Sequence, residues 1–370
     1  MMKREVVVIG GGPAGLAAAI EAAGLGARVL VIDANARAGG QLFKQIHKFF
    51  GSGAHRAGTR GIDIGTALLE EAEKLQVEIW LDSVVVGIFD NKELAIEVGQ
   101  DSENKEVRMV RAEKLIVACG ASENVVRFQG WTLPGVMGAG AAQTMINVNR
   151  VLPGKRVLMI GSGNVGLIVS YQLMQAGADV VALVEAAPKI GGYAVHASKI
   201  TRAGVPIYTR HTVLRAIGKE RVEGAIIAEV DERWQPVPGT EKYFEVDAIA
   251  IAAGLKPLAE MTMMAGCEMY FDPVQGGWVP IHDRNMESTC PGIYVAGDIT
   301  GIEEANTALE EGRLAGVAIA EKLGRISPAA AETTKAEIWE RLGGLRFGPH
   351  GEARMLAKER QIHCFEKRVR

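Results

Sequence analysis

The sequence predicts an α/β chain built on two copies of one strand–glycine turn–helix–strand unit. Three observations carry that prediction. Glu5 to Ile9 is a short apolar run that ends in Gly10-Gly11-Gly12-Pro13-Ala14-Gly15, a GxGxxG pattern. Arg156 to Ile160 is a second such run, ending in Gly161-Ser162-Gly163-Asn164-Val165-Gly166. In each copy the strand after the helix ends on an acid, Asp33 or Glu185, 23 and 24 residues beyond the first glycine. A short apolar run closed by glycines fits a parallel strand buried on both faces. Together these features predict two Rossmann-like dinucleotide-binding domains.

The elements follow in chain order. Pro13 suits the first turn of a helix, where a missing N–H costs nothing. That helix runs through Ala17 to Ala23 and ends near Gly24 or Gly26, and Arg28 to Ile32 is the next buried strand. Val77–Leu81, Val84–Phe89, Leu94–Val98 and Arg108–Ala112 read as strands of a small antiparallel insertion. Lys114 to Ala118 reads as a buried strand leading to Cys119-Gly120. Residues 120–155 form a crossover rich in glycine and alanine. The second unit continues with a helix over Leu167–Gln175 and a strand over Val180–Val184. Asp247 to Ala252 is a buried strand before Gly254, and Ile293 to Ala296 another before Gly297-Asp298. A helix follows, from about Ala305 to Leu323, and beyond Pro328 the chain is charged with mild helical character. The predicted domains are residues 1–122 plus 286–325, a crossover over 123–149, a second nucleotide domain over 150–285, and a tail over 326–370.

Bulk composition removes several classes. The net charge of −3 lacks the basic footprint that nucleic-acid binding requires, so no nucleic-acid partner is expected. No stretch is apolar enough over sufficient length to span a bilayer, and the charged, glycine-broken N-terminus does not read as a signal peptide. The cytoplasm is the expected location. The four cysteines, Cys119, Cys267, Cys290 and Cys364, form no CxxC and no metal-ligand spacing, so they read as free thiols and no metal site is expected.

Each glycine has a distinct duty. Gly10 permits the tight turn, Gly12 lets a pyrophosphate approach the backbone, and Gly15 allows close helix–strand packing. The helix start at Pro13-Ala14 offers unpaired N–H groups and partial positive charge to phosphates. The Asp33 carboxylate suits a ribose 2′-OH. Gly161, Gly163, Asn164, Val165 and Gly166 repeat the pattern. Glu185 favours a free 2′-OH and repels a 2′-phosphate; no arginine follows it, only Lys189. NAD(H) is therefore expected in the second module, with another adenine nucleotide as the alternative.

Three further segments carry a family resemblance. Ile116-Val117-Ala118-Cys119-Gly120-Ala121 resembles the strand–glycine box after the FAD insertion of two-dinucleotide-domain flavoproteins. Pro291-Gly292-Ile293-Tyr294-Val295-Ala296-Gly297-Asp298 resembles their late GD box, whose aspartate meets the ribityl chain. Gly39-Gly40-Gln41-Leu42 resembles the loop after the ribose acid in thioredoxin reductase-like enzymes. The resemblance implies a thioredoxin reductase-like or glutathione reductase-like FAD/NAD(P)-binding fold, with FAD as the first cofactor. It also implies cofactor contacts at Gly40, Gln41, Val84, Cys119, Gly120, Gly254, Gly297 and Asp298. By position after the GD box, Asn306 and Thr307 match the residues that meet the flavin pyrimidine edge.

Thioredoxin reductases carry a CxxC before their second glycine motif; here Gly138-Ala139-Gly140-Ala141-Ala142-Gln143 holds alanines, which excludes disulfide reduction by that route. Gly130-Trp131-Thr132-Leu133-Pro134-Gly135-Val136 with Ala141-Ala142-Gln143 is similar to the α-type subunits of opine oxidases, hydrogen cyanide synthase and dye-linked proline dehydrogenases. That likeness implies an electron-relaying subunit paired with an amine-oxidising flavoprotein. The tail has one cysteine, Cys364, so any iron–sulfur centre must come from a separate protein. The alternatives are a stand-alone NADH-dependent reductase of a ferredoxin, quinone or dye, and a nucleotide-binding scaffold without catalysis.

Other residues read less sharply. Lys44–Arg60 holds Lys44, His47, Lys48, His55, Arg56 and Arg60 with Phe49 and Phe50, and reads as a flavin entrance, a docking site for an acidic partner, or a basic surface loop. Glu303, Glu304, Glu310 and Glu311 read as a solvated face or partner surface. Trp131, Pro134 and Gly135 read as hinge packing or as a contact with cofactor or partner. No hydrolase triad and no paired acid/base carboxylates are evident, and no catalytic side chain is assigned.

Overall fold

The computed structural model describes residues 1–99, 105–348 and 351–369. The chain opens with β1 (Met2–Ile9), α1 (Pro13–Gly24), β2 (Val29–Ile32), α2 (Gly61–Lys74), β3 (Glu78–Trp80), β4 (Ser83–Phe89), β5 (Glu93–Val98) and β6 (Glu106–Val117). It continues through β7 (Ala121–Glu123), β8 (Val136–Gly138), α3 (Ala139–Thr144), β9 (Arg156–Ile160), α4 (Asn164–Gln175), β10 (Asp179–Glu185) and α5 (Ala194–Arg202). Next come β11 (Ile207–Thr209), β12 (His211–Ile217), β13 (Gly224–Glu229), β14 (Lys242–Phe244), β15 (Ala248–Ile251) and β16 (Leu255–Pro257). The last part holds α6 (Glu260–Met264), β17 (Met269–Asp272), β18 (Gly277–Pro280), β19 (Ile293–Val295), α7 (Ala305–Lys322), α8 (Pro328–Leu345) and α9 (Glu352–Val369). Two compact units result, residues 1–122 with 256–370, and residues 123–255.

In the first unit the sheet order is β3-β2-β1-β6-β5-β4, with β19 beside the last residues of β6. β1, β2, β3, the end of β6 and β19 run parallel; β4 and β5 are antiparallel. The central strands are Val/Ile/Leu runs because helices cover one face and a second apolar cluster covers the other. On the first face α1 meets α7 through alanines and glycines. A side chain on Gly312 would lie 2.1 Å from the Ala14 carbonyl oxygen, so only glycine permits that approach.

The second unit has a parallel sheet of order β11-β10-β9-β15-β8. Helices α3, α4 and α5 pack one face, around Leu167, Val169, Leu173 and Ile200. The antiparallel sheet β12-β13-β14 covers the other, setting Val213, Ala225 and Ile227 against Leu158 and Ile249.

Several expectations differ from what is seen. β3 pairs in parallel with β2, so 77–81 extends the nucleotide-binding sheet rather than the insertion. The two strands expected at 108–112 and 114–118 are one, β6, whose first half pairs with β5 and whose last residues pair with β19. Helix α2 carries Ile64, Leu68 and Ala72 inward at a four-residue spacing. Residues 256–285, expected in the second domain, pack with the first unit, because Met261, Ala265 and Cys267 join the core that contains Val7 and Leu115. The tail belongs to the same unit: Ala331, Ile338 and Leu342 of α8 are buried in the α1/α7 core. No helix among the described residues is long and apolar enough to cross a membrane.

Candidate functional site

The first glycine turn separates what the chain needs for itself from what it offers outward. Gly10 has φ of +100°, and a side chain there would lie 2.4 Å from the Ala118 carbonyl oxygen. A side chain on Gly15 would lie 1.8 Å from the Gly10 carbonyl oxygen. Both glycines are therefore demanded by the protein's own packing. Gly12 is different: a side chain there meets no atom of the described residues within 4 Å, and its φ of −77° suits any residue. Pro13 begins α1 immediately after it. Gly40 packs against Gly12, its Cβ position 2.9 Å from the Gly12 Cα, while Gln41 is exposed. Asp33 is buried and braces the turn, its Oδ2 accepting the Gly11 N–H at 2.7 Å and its Oδ1 the Asn35 N–H at 2.8 Å. The Ser83 N–H donates to the Asp33 carbonyl at 3.0 Å, which sets the start of β4, and with it Val84, beside the acid.

The second turn repeats this arrangement residue for residue. Side chains on Gly161 and Gly166 would lie 2.3 Å from the Ala252 and 2.1 Å from the Gly161 carbonyl oxygen, whereas one on Gly163 meets nothing within 4 Å. Glu185 Oε2 accepts the Ser162 N–H at 2.9 Å and its hydroxyl at 2.6 Å, and Oε1 accepts the Ala187 N–H at 2.8 Å. The Asn164 side chain accepts the Tyr193 N–H at 2.9 Å, and Val165 is exposed at the start of α4. A cavity of about 700 Å³ lies alongside, lined by Ile190 and Gly192 of the loop and by Ala194, Ser198 and Arg202 of α5. Gly254, with φ of +87°, closes the neighbouring strand end and accepts the Asn124 N–H.

Cys119 and Gly120 follow the end of β6 in the first unit. Burial pushes the Cys119 thiol up to about 12, helped by the Glu260 and Asp33 carboxylates, so it stays a neutral thiol. In the second unit Gly138-Ala139-Gly140 wraps the Glu123 carboxylate, which accepts the Gly140 N–H at 2.6 Å. Trp131 is exposed, the Pro134 carbonyl accepts the Val222 N–H, and a side chain on Gly135 would lie 2.8 Å from the Asp247 carbonyl oxygen. Within this unit that stretch is packing around β15.

The turn at Gly297-Asp298 rests on a buried ionic cluster. Glu311 is 3 % exposed, and its carboxylate accepts the Gly297 N–H at 3.0 Å and the Thr300 hydroxyl at 2.8 Å. Arg346 reaches the same carboxylate at 2.6 Å and Lys358 at 2.9 Å; Arg346 also holds Glu303 at 2.8 Å. Burial alone would raise the Glu311 carboxyl, but Lys358 and Arg346 outweigh it and hold it well below the usual range. Asp298 is pushed the other way, up to about 7, chiefly by burial, against the Glu303 N–H and with Glu311, Glu303 and Glu304 adding repulsion. One residue earlier on α7, Glu310 is fully buried and meets His55 at 3.2 Å, Arg341 at 2.9 Å, and Arg313. The expected solvated face is thus corrected: of the four glutamates, Glu304 alone is exposed, and the other three pair with cations of α7, of α8 and its C-terminal end, and of α9.

Asn306 and Thr307 are buried in the first turn of α7. The Asn306 side chain donates to the Phe50 carbonyl at 2.8 Å, while its Oδ1 is buried without a hydrogen-bond partner among the described residues. Within the basic loop His55 is buried, and Phe50 is exposed. Arg341, Arg346 and Lys358 were missed by sequence reasoning. The available signal was indirect: adjacent acids inside the otherwise Ala/Leu/Gly-rich start of α7 require counter-charges from elsewhere. Among the described residues no cluster of His, Cys, Asp and Glu could hold a metal ion.

Comparison with known proteins gives a consistent result. The family model described as pyridine nucleotide-disulphide oxidoreductase matches residues 4–312. An opine oxidase subunit of Agrobacterium tumefaciens (strain Ach5) is 30 % identical over 89 % of this chain and 68 % of its own length. The HcnB subunit of hydrogen cyanide synthase from Pseudomonas protegens is 28 % identical over 89 % of this chain and 73 % of its own. Among solved structures, the L-proline dehydrogenase of P. horikoshii aligns with a TM-score of 0.67 at 23 % identity, over 91 % of this chain and 59 % of that one. The thioredoxin reductase of T. acidophilum aligns with a TM-score of 0.70 at 20 % identity, over 87 % of this chain and 99 % of that one. The two structures share the fold.

Proposed function

Because this chain belongs to the pyridine nucleotide-disulphide oxidoreductase family, we propose that it is an FAD-dependent electron-transfer subunit of an amino-acid or opine dehydrogenase or oxidase complex. The observation that carries the FAD assignment is Gly12. It is the one glycine of its motif that the chain's own packing does not require, and it sits at the N-terminus of α1 between the Asp33 brace and the Gly40 loop. A backbone kept bare towards open space at a helix start is what a pyrophosphate needs. The unpartnered Asn306 Oδ1 at the start of α7 is a second group that fits a polar ring edge.

Bound FAD supplies the ability to take up an electron pair and release electrons singly. The protein's part is placement. Gly12 and the helix start at Pro13-Ala14 would hold the pyrophosphate on the turn that Gly10 and Gly15 shape, Asp33 the ribose, and Asp298 the ribityl region, with Gly297 and the Glu311 cluster fixing that turn. The first turn of α7, with Asn306 and Thr307, places partial positive charge where the reduced ring is negative. Two features favour a partner-fed relay: the relatives are named as subunits, and Ala141-Ala142 leaves no dithiol. The partner is then an amine-oxidising flavoprotein, with any iron–sulfur centre on a separate protein.

For the second module we infer an adenine nucleotide with a free 2′-OH, NAD(H) first. Glu185 supports it, since it braces its turn as Asp33 braces the first. The same acid supports a second reading, a stand-alone NADH-dependent reductase.

The test compares two glycine substitutions. Gly12→Val is expected to leave the unfolding transition of the FAD-free protein unchanged and to weaken FAD on the order of 100-fold, about 2.7 kcal/mol. Gly15→Ala is expected to lower that transition itself, because the new methyl meets the Gly10 carbonyl. Full FAD retention in Gly12→Val would remove the assignment.

A further inference from the structure

We propose that His55 is a proton-holding residue of the flavin's redox cycle: supplied from solvent through Ser52, it takes up a proton when the flavin is reduced and returns it on reoxidation. This rests on the reading that FAD lies at the Gly297 turn and the start of α7.

The geometry is a short array leading inward from a cavity. His55 is 4 % exposed. The Ser52 hydroxyl stands 3.0 Å from its Nδ1, and Glu310 Oε1 stands 3.2 Å from its Nε2. Ser52 and His55 line a cavity of about 610 Å³ with Gly51, Glu337, Glu340 and Arg341. The array therefore has a wet end at Ser52 and a dry end at Glu310. Its dry end lies on α7 one turn beyond Asn306, and residues four apart share a helix face. Asn306 joins the same loop, donating to the Phe50 carbonyl two residues before Ser52. Loop and helix are thus fastened at two points, the nearer one at the residue assigned to the ring edge.

The charges around His55 suit a neutral imidazole that is easily biased. Burial lowers its proton affinity, Glu310 opposes that, and Arg313 of α7 and Arg341 of α8 lower it further. Glu310 already meets both arginines, so it does not need an imidazolium as well. Further charged groups nearby are Glu337 and Glu340 on the cavity rim, Arg56, which pairs with Glu71 of α2, and Glu21 of α1, which shares the field of Arg313, Arg341 and Glu310. One added negative charge on the ring then tips the balance towards protonation. The accounting closes: the reductant gives two electrons, the ring takes both with one proton, and His55 takes the second proton from solvent. Reoxidation returns both protons.

The experiment is a mediated potentiometric titration of the FAD-loaded chain at a series of pH values. For a two-electron couple a tenfold change is 29.6 mV, so each linked proton adds about 30 mV per pH unit. Wild type is expected to fall by about 59 mV per pH unit around neutrality and His55→Gln by about 30 mV. Ser52→Ala is expected to keep the steeper slope and to slow proton uptake. Equal slopes in wild type and His55→Gln, with FAD bound in both, would overturn the proposal and leave the FAD assignment standing. A chain that retains no FAD would instead remove the underlying reading. If His55→Gln does not fold, the wild-type imidazole is titrated by nitrogen NMR in both redox states. A proton affinity at least tenfold higher in the reduced state is expected, and an unchanged one refutes the proposal.

Discussion

Replacing Arg346 by methionine should destabilise the first unit severely, because that guanidinium neutralises two buried carboxylates at once. Its side chain is 3 % exposed and stands 2.8 Å from Glu303 and 2.6 Å from Glu311. After the substitution Glu311 keeps Lys358 at 2.9 Å, but Glu303 loses its ion-pair partner among the described residues. Removing one member of a buried pair costs about 3–5 kcal/mol, since the other charge is left without water or a partner. For a unit of this size about 2–4 °C is lost per kcal/mol, so the transition should fall by about 6–20 °C. Acid provides an internal check. Lys358 and Arg346 overcome burial and hold the Glu311 carboxyl below its ordinary value of 4.5. A depressed carboxyl contributes stability above that value and loses it as pH falls through the folded one. The gap between wild type and variant should therefore be full at neutral pH and close progressively below about 4.5. Urea unfolding followed by circular dichroism, at neutral and acid pH, measures both. A loss below about 1 kcal/mol, or a gap that does not narrow in acid, would refute the reasoning.

Asp298→Asn should act in the opposite direction on the FAD-free protein. The carboxyl is raised from 3.8 to about 7, so wild-type stability is full below 3.8 and is lost as pH rises through about 7. The variant should be more stable than wild type at pH 8 by about 1–2 kcal/mol, discounted for the partial exposure of the group, and equal to it at pH 3; a variant less stable at pH 8 would contradict the sign. Anaerobic mixing with NADH should bleach the flavin if the second module is a working NADH site, and Glu185→Gln should then weaken NADH about tenfold by loosening the Ser162 turn. Bleaching by dithionite alone would point to another adenine nucleotide and to electrons from a partner.

Much of the fold could be read from local pattern. The run Arg156–Ile160 became β9 with those bounds, and the glycine turns stand where GxGxxG put them; the local collisions of Gly15 with Gly10 and of Gly166 with Gly161 are written into the motif, although Gly10 and Gly161 also answer to Ala118 and Ala252 on distant strands. What could not be read depends on distant partners. β3 looks like one more short strand until its pairing with β2 is seen. The acids at 303, 310 and 311 look like a solvated helix face because counter-charges for them lie far along the chain at residues 341, 346 and 358, with no periodicity to announce them. The tail reads only as charged and mildly helical for a related reason. Helix α8 contributes Ala331, Ile338 and Leu342 to a core built mainly from the N-terminal strands and α7. For the candidate site, the motif residues were legible and the supporting cluster was not.

The single strand β6 has a mechanical consequence. From Glu106 to Arg111 it forms one side of the antiparallel hairpin region, and from Lys114 to Val117 it lies at the centre of the parallel sheet. The next residue, Ala118, has its carbonyl against Gly10 and its N–H bonded to Ile9. A load on the outer hairpin is thus carried by one covalent rod to the glycine turn, with no loop in series to absorb it. The surface ribbon and the backbone of the first glycine turn behave as the two ends of a stiff lever.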